Sequence, residues 1–139
     1  VAWSHTKMGN LYRQVVESVS EGILFADNDE IIRLWNKGAE TIFGYTADEA
    51  IGSSLALIVP DRFLARHQRG YERVIDTGKT AYKSKMLCVP ACHKDGRRIS
   101  IEFSVNIILQ ESKVLGISAI IRDVTEKWHK EQEELKSAD

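Results

Sequence analysis

Beyond Gly78 the spacing of apolar residues changes from a helical period to strict alternation, and few folds accommodate both halves of that pattern. Before that point apolar residues recur three and four apart, as in Leu11, Val15, Val16 and Val19, or Phe63, His67, Tyr71 and Val74. After it, Ile99, Ile101, Phe103 and Val105 alternate with Ser100, Glu102 and Ser104, which gives a strand one face of which is core. Ahead of the helical middle lie two more short strands, Gly22 to Ala26 and Ile31 to Trp35, joined by the turn formers DNDE. The late half adds a strand over 81–90, a KDG hairpin turn at 94–96, a second turn near ESK, and an apolar strand over 114–122. Two early strands and three late ones around a helical middle predict an α+β domain: a five-stranded antiparallel sheet with short helices on one face.

The helix signals are local and specific. Asn10 is expected to cap the first amphipathic helix, and residues 1–9 read as linker. Asn36 is expected to cap KGAETIF, with Gly44 as its stop. Thr46 and Glu49 stand at capping-box spacing, with Gly52 as the next stop. Pro60 and Asp61 open a helix that ends at Gly78, and along it Arg62, Arg66, Arg69 and Arg73 form a polar stripe. The polar segment TEKWHKEQEELKSAD predicts an outgoing helix, with Asp123 as cap, Thr125 in its first turn, and a sparse seam of Val124, Trp128 and Leu135.

Composition removes several function classes. With 139 residues the chain suits one domain, and a formal charge of −1 supplies no basic field for nucleic acid. No apolar run reaches the length of a membrane span and no secretory signal opens the chain, so a cytoplasmic setting is expected. The first and last residues suggest a piece of a longer protein. No glycine-rich phosphate loop, GxSxG or HExxH occurs, and Asp27 and Asp29 lie in a turn, so an enzyme is not expected. In CVPACH, residues 88–93, three residues separate the cysteines where covalent haem attachment has two, and a zinc site lacks a second cluster. Cys88 is expected to pack as a small hydrophobe.

In order, the hairpin, WNKGAETIFGYTADEAIG, IVP with a helix ending in TG, KDG and IIRDVTE resemble a PAS sensor domain over roughly residues 10 to 127. The division expected is 1–9 linker, 10–123 PAS domain and 124–139 signalling helix. The resemblance implies a ligand cavity between the sheet and the helix at 60–77, and a module that regulates rather than catalyses, fused to an effector domain. It is nearest in register to the haem-binding gas sensors, whose proximal histidine occupies the place of His67. That implies haem b on His67 as metal ligand, with Tyr71, Leu87, Phe103 and Val105 completing a cofactor-binding set.

This sequence departs from the haem sensors at two positions. Leu87 stands where they carry an oxygen-binding arginine, and Lys85, not Met86, stands where a subgroup carries a methionine ligand. A dry distal side favours carbon monoxide or nitric oxide over oxygen. The alternatives are a module with no cofactor, an apolar fatty-acid-like or aromatic ligand, or non-covalent flavin. GSSLALIVP has no cysteine for a light-driven flavin adduct, and Trp35 reads as core. Arg73 reads as solvated rather than as a partner for a haem propionate. A homodimer through the N- and C-terminal helices is expected, with a small-molecule or gas ligand and neither nucleic acid nor membrane as partner.

Overall fold

The computed structural model describes residues 3–80 and 86–137. Its first helix, α1, runs His5–Ser18, so it starts before the expected boundary. Ser4, not Asn10, is the cap: its hydroxyl accepts the Lys7 amide at 3.1 Å, and residues 5–9 are helical rather than linker. Asn10 is instead an interior, exposed helical residue.

The strands are β1 (Gly22–Asp27), β2 (Ile32–Trp35), β3 (Leu87–Cys92), β4 (Arg98–Gln110) and β5 (Lys113–Asp123), all antiparallel in the order β2-β1-β5-β4-β3. Residues 81–85 of the expected third strand, Lys85 among them, lie outside the described residues. The strict alternation fixes the register. Leu24 pairs with Ala119, Ala119 with Val105, Ile121 with Phe103, and Phe103 with Leu87, so these side chains share the inner face. Glu111 and Ser112 make the β4–β5 turn with φ of 51° and 67°.

Helix α2 (Lys37–Phe43) and the short helix α3 (Ala47–Ala50) cover the β1 and β2 half of that face. Asn36 caps α2 by accepting the Ala39 amide at 2.9 Å, and Gly44 ends it at φ 81°. Thr46 and Glu49 form the expected capping box. Phe43, Ile32 and Ile99 are fully buried, and with Leu24, Trp35, Ile101 and Ile121 they make one contiguous core. Removing a side chain such as Phe43 would cost about 3–5 kcal/mol. Trp35 is core as expected, its indole donating to the Tyr45 carbonyl at 3.0 Å.

Two 3-10 turns, Leu55–Ile58 and Asp61–Phe63, lead into α4 (Leu64–Thr77), which Gly78 ends at φ 68°. The last helix, α5, spans Thr125–Ser137. Asp123 accepts the Thr125 amide at 2.9 Å, and the Thr125 hydroxyl accepts the Ser100 amide at 3.0 Å, so the helix start is tied to both β5 and β4. No helix among the described residues is long and apolar enough to cross a membrane.

Candidate functional site

The stripe along α4 sorts as the sequence predicts. Arg62, Arg66, Arg69 and Arg73 are exposed and make no ion pair among the described residues, while Phe63, His67 and Val74 are half-buried and Tyr71 is buried. Tyr71 reaches the sheet: its hydroxyl lies 2.8 Å from the carbonyl oxygens of both Ala26 and Asp27. Burial, with the nearby charges of Glu30 and Asp27, pushes its ionisation above the ordinary tyrosine range. Tyr71 therefore clamps α4 to β1.

Toward β3 the inner face of the sheet is incompletely covered. Leu87, Phe103, Val105 and Ile117 are only half-buried and Val89 is exposed, although Ile99, Ile101 and Ile121 on the same face are sealed. Phe103, Val105 and Ile117 pack against the rim of the core, and Leu87 sits directly opposite Phe103. Among the described residues this is a half-buried apolar strip on the inner face of the sheet.

His67 stands on α4 one turn before Tyr71, the ring centroids 6.1 Å apart. Its Nδ1 lies 2.9 Å from Oε1 of Glu30, with side-chain exposures of 33% and 15% respectively. No local pattern marks this partner, because DNDE reads as a solvated turn. Glu30 adopts φ 66°, a left-handed conformation unusual for a residue other than glycine. That conformation costs roughly 1–2 kcal/mol, which the hydrogen bonds that hold the turn help to offset.

The turn around Glu30 is over-determined. Its amide donates to the Asp27 carbonyl at 2.9 Å, and its own carbonyl accepts the Leu55 amide at 3.0 Å. The Asp27 carboxylate accepts the amides of Asp29 and Ile31 and the Arg33 Nε–H. Burial alone would raise the Asp27 carboxyl, but these hydrogen bonds and the Arg33 charge hold it below the ordinary value.

The remaining candidates lie elsewhere. Cys88 is exposed on β3 opposite Glu102, not packed as a small hydrophobe, because it points away from the core on an edge strand. Cys92 lies four residues on, and His93 turns toward Asp95, its Nδ1 3.1 Å from the carboxylate. Among the described residues no cluster of three or more His, Cys, Asp or Glu could hold a metal ion. Met86 is exposed, bordering an outer-face groove with Val19, Ile23 and Ile120.

Comparisons with known proteins agree with this architecture. A family model described as PAS fold matches residues 10–124. The Oxygen sensor protein DosP of Escherichia coli is 26% identical over 125 residues, covering 89% of this chain and 15% of its own length. Sensor protein FixL of Bradyrhizobium diazoefficiens is 24% identical over 114 residues, covering 82% of this chain and 22% of its own. The chain thus spans less than a quarter of either relative. Among solved structures, the PAS domain of a Colwellia psychrerythraea protein superposes with a TM-score of 0.74 at 24% identity, over 86% of this chain and 98% of that one. An RNA-binding Light-Oxygen-Voltage receptor reaches 0.78 at 18% identity over 97% of this chain and 38% of that one, which speaks for the fold alone. With its model spanning the sheet and every helix between β1 and β5, the PAS family is the one to which this chain belongs.

Proposed function

We propose that this chain is the sensory module of a larger signalling protein and that it binds haem b through His67. The observation that carries the reading is a half-buried imidazole on α4 with a carboxylate 2.9 Å from its Nδ1, in a domain whose sheet carries a half-buried apolar strip. An imidazole held at one nitrogen offers the other as a ligand, and the carboxylate partner is the usual support for a metal-binding histidine. Leu87, Phe103 and Val105 supply the apolar wall a porphyrin needs, so the residues fit the group. When bound, haem supplies an iron centre that takes a small diatomic gas. Leu87 presents no hydrogen-bond donor to that side, which favours carbon monoxide or nitric oxide over oxygen. A relative named as an oxygen sensor supports the general class. Purified protein fed with haem should show a Soret band, and His67→Ala should abolish it; a band that survives the substitution excludes His67 as ligand.

A second reading, favoured by the terminal helices, is a dimerisation module whose cleft is empty or holds flavin or an apolar ligand. Neither α1 nor α5 buries a residue, and Leu11, Tyr12, Val15, Trp128 and Leu135 are exposed. These stripes would be covered in a homodimer formed through both helices, in the cytoplasm, with the output passed to a fused effector domain. Sedimentation equilibrium tests this part: a dimer that Leu135→Lys weakens is expected, and a monomer at every concentration refutes it.

A further inference from the structure

We propose that the solvent face of α4 is a docking surface for an acidic helix of a partner protein, which seats its carboxylates on Arg66, Arg69 and Arg73 and comes closest to α4 at Gly70. The inference is independent of any ligand on His67, which points to the other side of the helix.

Two features of this face have no use within the domain. The first is charge. Arg66, Arg69 and Arg73 are exposed, stand three and four residues apart, and have no ion-pair partner among the described residues. Like charges at that spacing repel one another along a helix. Arg62, in the 3-10 turn just ahead, extends the line and rests over the Phe63 ring, 4.6 Å from its centroid. Without these four, fifteen basic residues face twenty acidic ones, so the stripe is a cationic line on an otherwise anionic domain. The second feature is Gly70. Glycine inside a helix is destabilising, yet a methyl group at Gly70 would meet nothing within 4 Å, so the packing of the domain does not require it. Gly70 follows Arg66 by four residues and precedes Arg73 by three, which leaves bare backbone between two guanidinium groups.

The spacing defines the occupant. Intervals of four, three and four from Arg62 to Arg73 are those of a heptad seam, which keeps every guanidinium turned toward a helix laid alongside. Carboxylates at the same intervals on that helix would accept paired N–H bonds from the arginines, and the bare backbone lets the two axes approach. Exposed Glu72 and Asp76 stand three residues beyond Arg69 and Arg73, which suits a partner with gaps between its charges better than the unbroken charge of a nucleic acid. A lipid surface would need large apolar residues beside the arginines, whereas Leu64, Tyr71, Val74 and Ile75 are buried or half-buried. Helix α5 of a second copy does not match, because Lys130 stands between Glu126 and Glu133 at the corresponding interval.

The probe is a labelled alanine-based helical peptide with glutamates at intervals of four, three and four; its control has the same composition in scrambled order. Fluorescence anisotropy is expected to show the patterned peptide binding roughly 10-fold or more tighter than the control. Arg66→Gln with Arg69→Gln, and separately Gly70→Leu, are each expected to weaken it roughly 10-fold or more, with the fold retained by circular dichroism. Lys127→Gln with Lys130→Gln removes as much charge from α5 and is expected to leave binding unchanged. Equal affinity for the scrambled peptide, or an equal loss in the α5 variant, would mean unspecific charge attraction and overturns the proposal. So does a preference for single-stranded DNA or phosphatidylserine vesicles over the patterned peptide, or undiminished binding by Gly70→Leu.

Discussion

The Tyr71 hydroxyl lies 2.8 Å from the carbonyl oxygens of both Ala26 and Asp27, which makes a single phenol the fastening between α4 and the end of β1. Tyr71→Phe keeps the ring and removes the donor that ties α4 to β1, while the Asp27 carbonyl keeps the Glu30 amide. A loss of about 1–3 kcal/mol is expected in denaturant unfolding. The pH dependence follows from the raised ionisation of the phenol. Its folded-state pKa stands above the ordinary 10.0, so its contribution is full below pH 10 and declines as the pH rises beyond that, where the unfolded chain alone loses the proton. The decline should be shallower in Tyr71→Phe when stability is followed by urea melts between pH 9 and 11.

On the acid side the corresponding group is Asp27. Its carboxyl is held below the ordinary 3.8 by Arg33 and by the amides of Ile31 and Asp29, which together outweigh the opposing effect of burial. Its contribution is therefore present above pH 4 and disappears as the pH falls through the folded-state value. Asp27→Asn should unfold at a lower temperature than wild type at pH 7, and the gap should narrow at pH 3 in calorimetric scans.

Asn36 is 1% exposed and uses its whole amide. Oδ1 accepts the amides of Ile23 and Ala39, and Nδ2 donates to the carbonyls of Val16 and Glu21, so α1, β1 and α2 converge on one side chain. Asn36→Ala should cost about 3 kcal/mol, combining a lost cap with unsatisfied buried groups. Asn36→Asp should also destabilise, since a carboxylate would face two carbonyls it cannot donate to. Hydrogen exchange at the end of α1 should rise in both variants; unchanged protection there would show that α1 is held by other contacts.

Gly44 combines φ 81° with a close neighbour, since a methyl group there would come within 2.4 Å of His93 Cε1. Gly44→Ala is expected to destabilise by about 2 kcal/mol or more through strain and collision together. Adding His93→Ala should recover the collision part and leave the backbone part. A double-mutant cycle with no coupling would show that His93 simply moves aside.

How much of this was legible in the letters differs by residue. The change of period at Gly78 is a local property of the chain, and it set the strand count, the inward residues of β4 and the helix positions. Gly44, Thr46 with Glu49, and Gly78 behave as their sequence contexts predict, because caps are satisfied by near neighbours. Asn10 did not, since the Ser4 hydroxyl oxygen caps the helix further upstream and residues 5–9 continue it. Glu30 was illegible for a different reason: its meaning depends on a partner 37 positions away on α4, and on a φ that four consecutive turn formers do not specify. Tyr71 was placed on the correct face, but its hydroxyl is used on backbone carbonyls, which carry no sequence signature.

The central position of β5, beside β1, also sets the order in which the sheet can close. Gly22 to Asp27 pair with Gly116 to Ile121, across most of the length of the chain. A ribosome must therefore deliver nearly everything before the first hairpin finds its permanent neighbour. Until then β1 shows an open flank, so slow folding and a tendency of unfinished chains to aggregate are built into the topology.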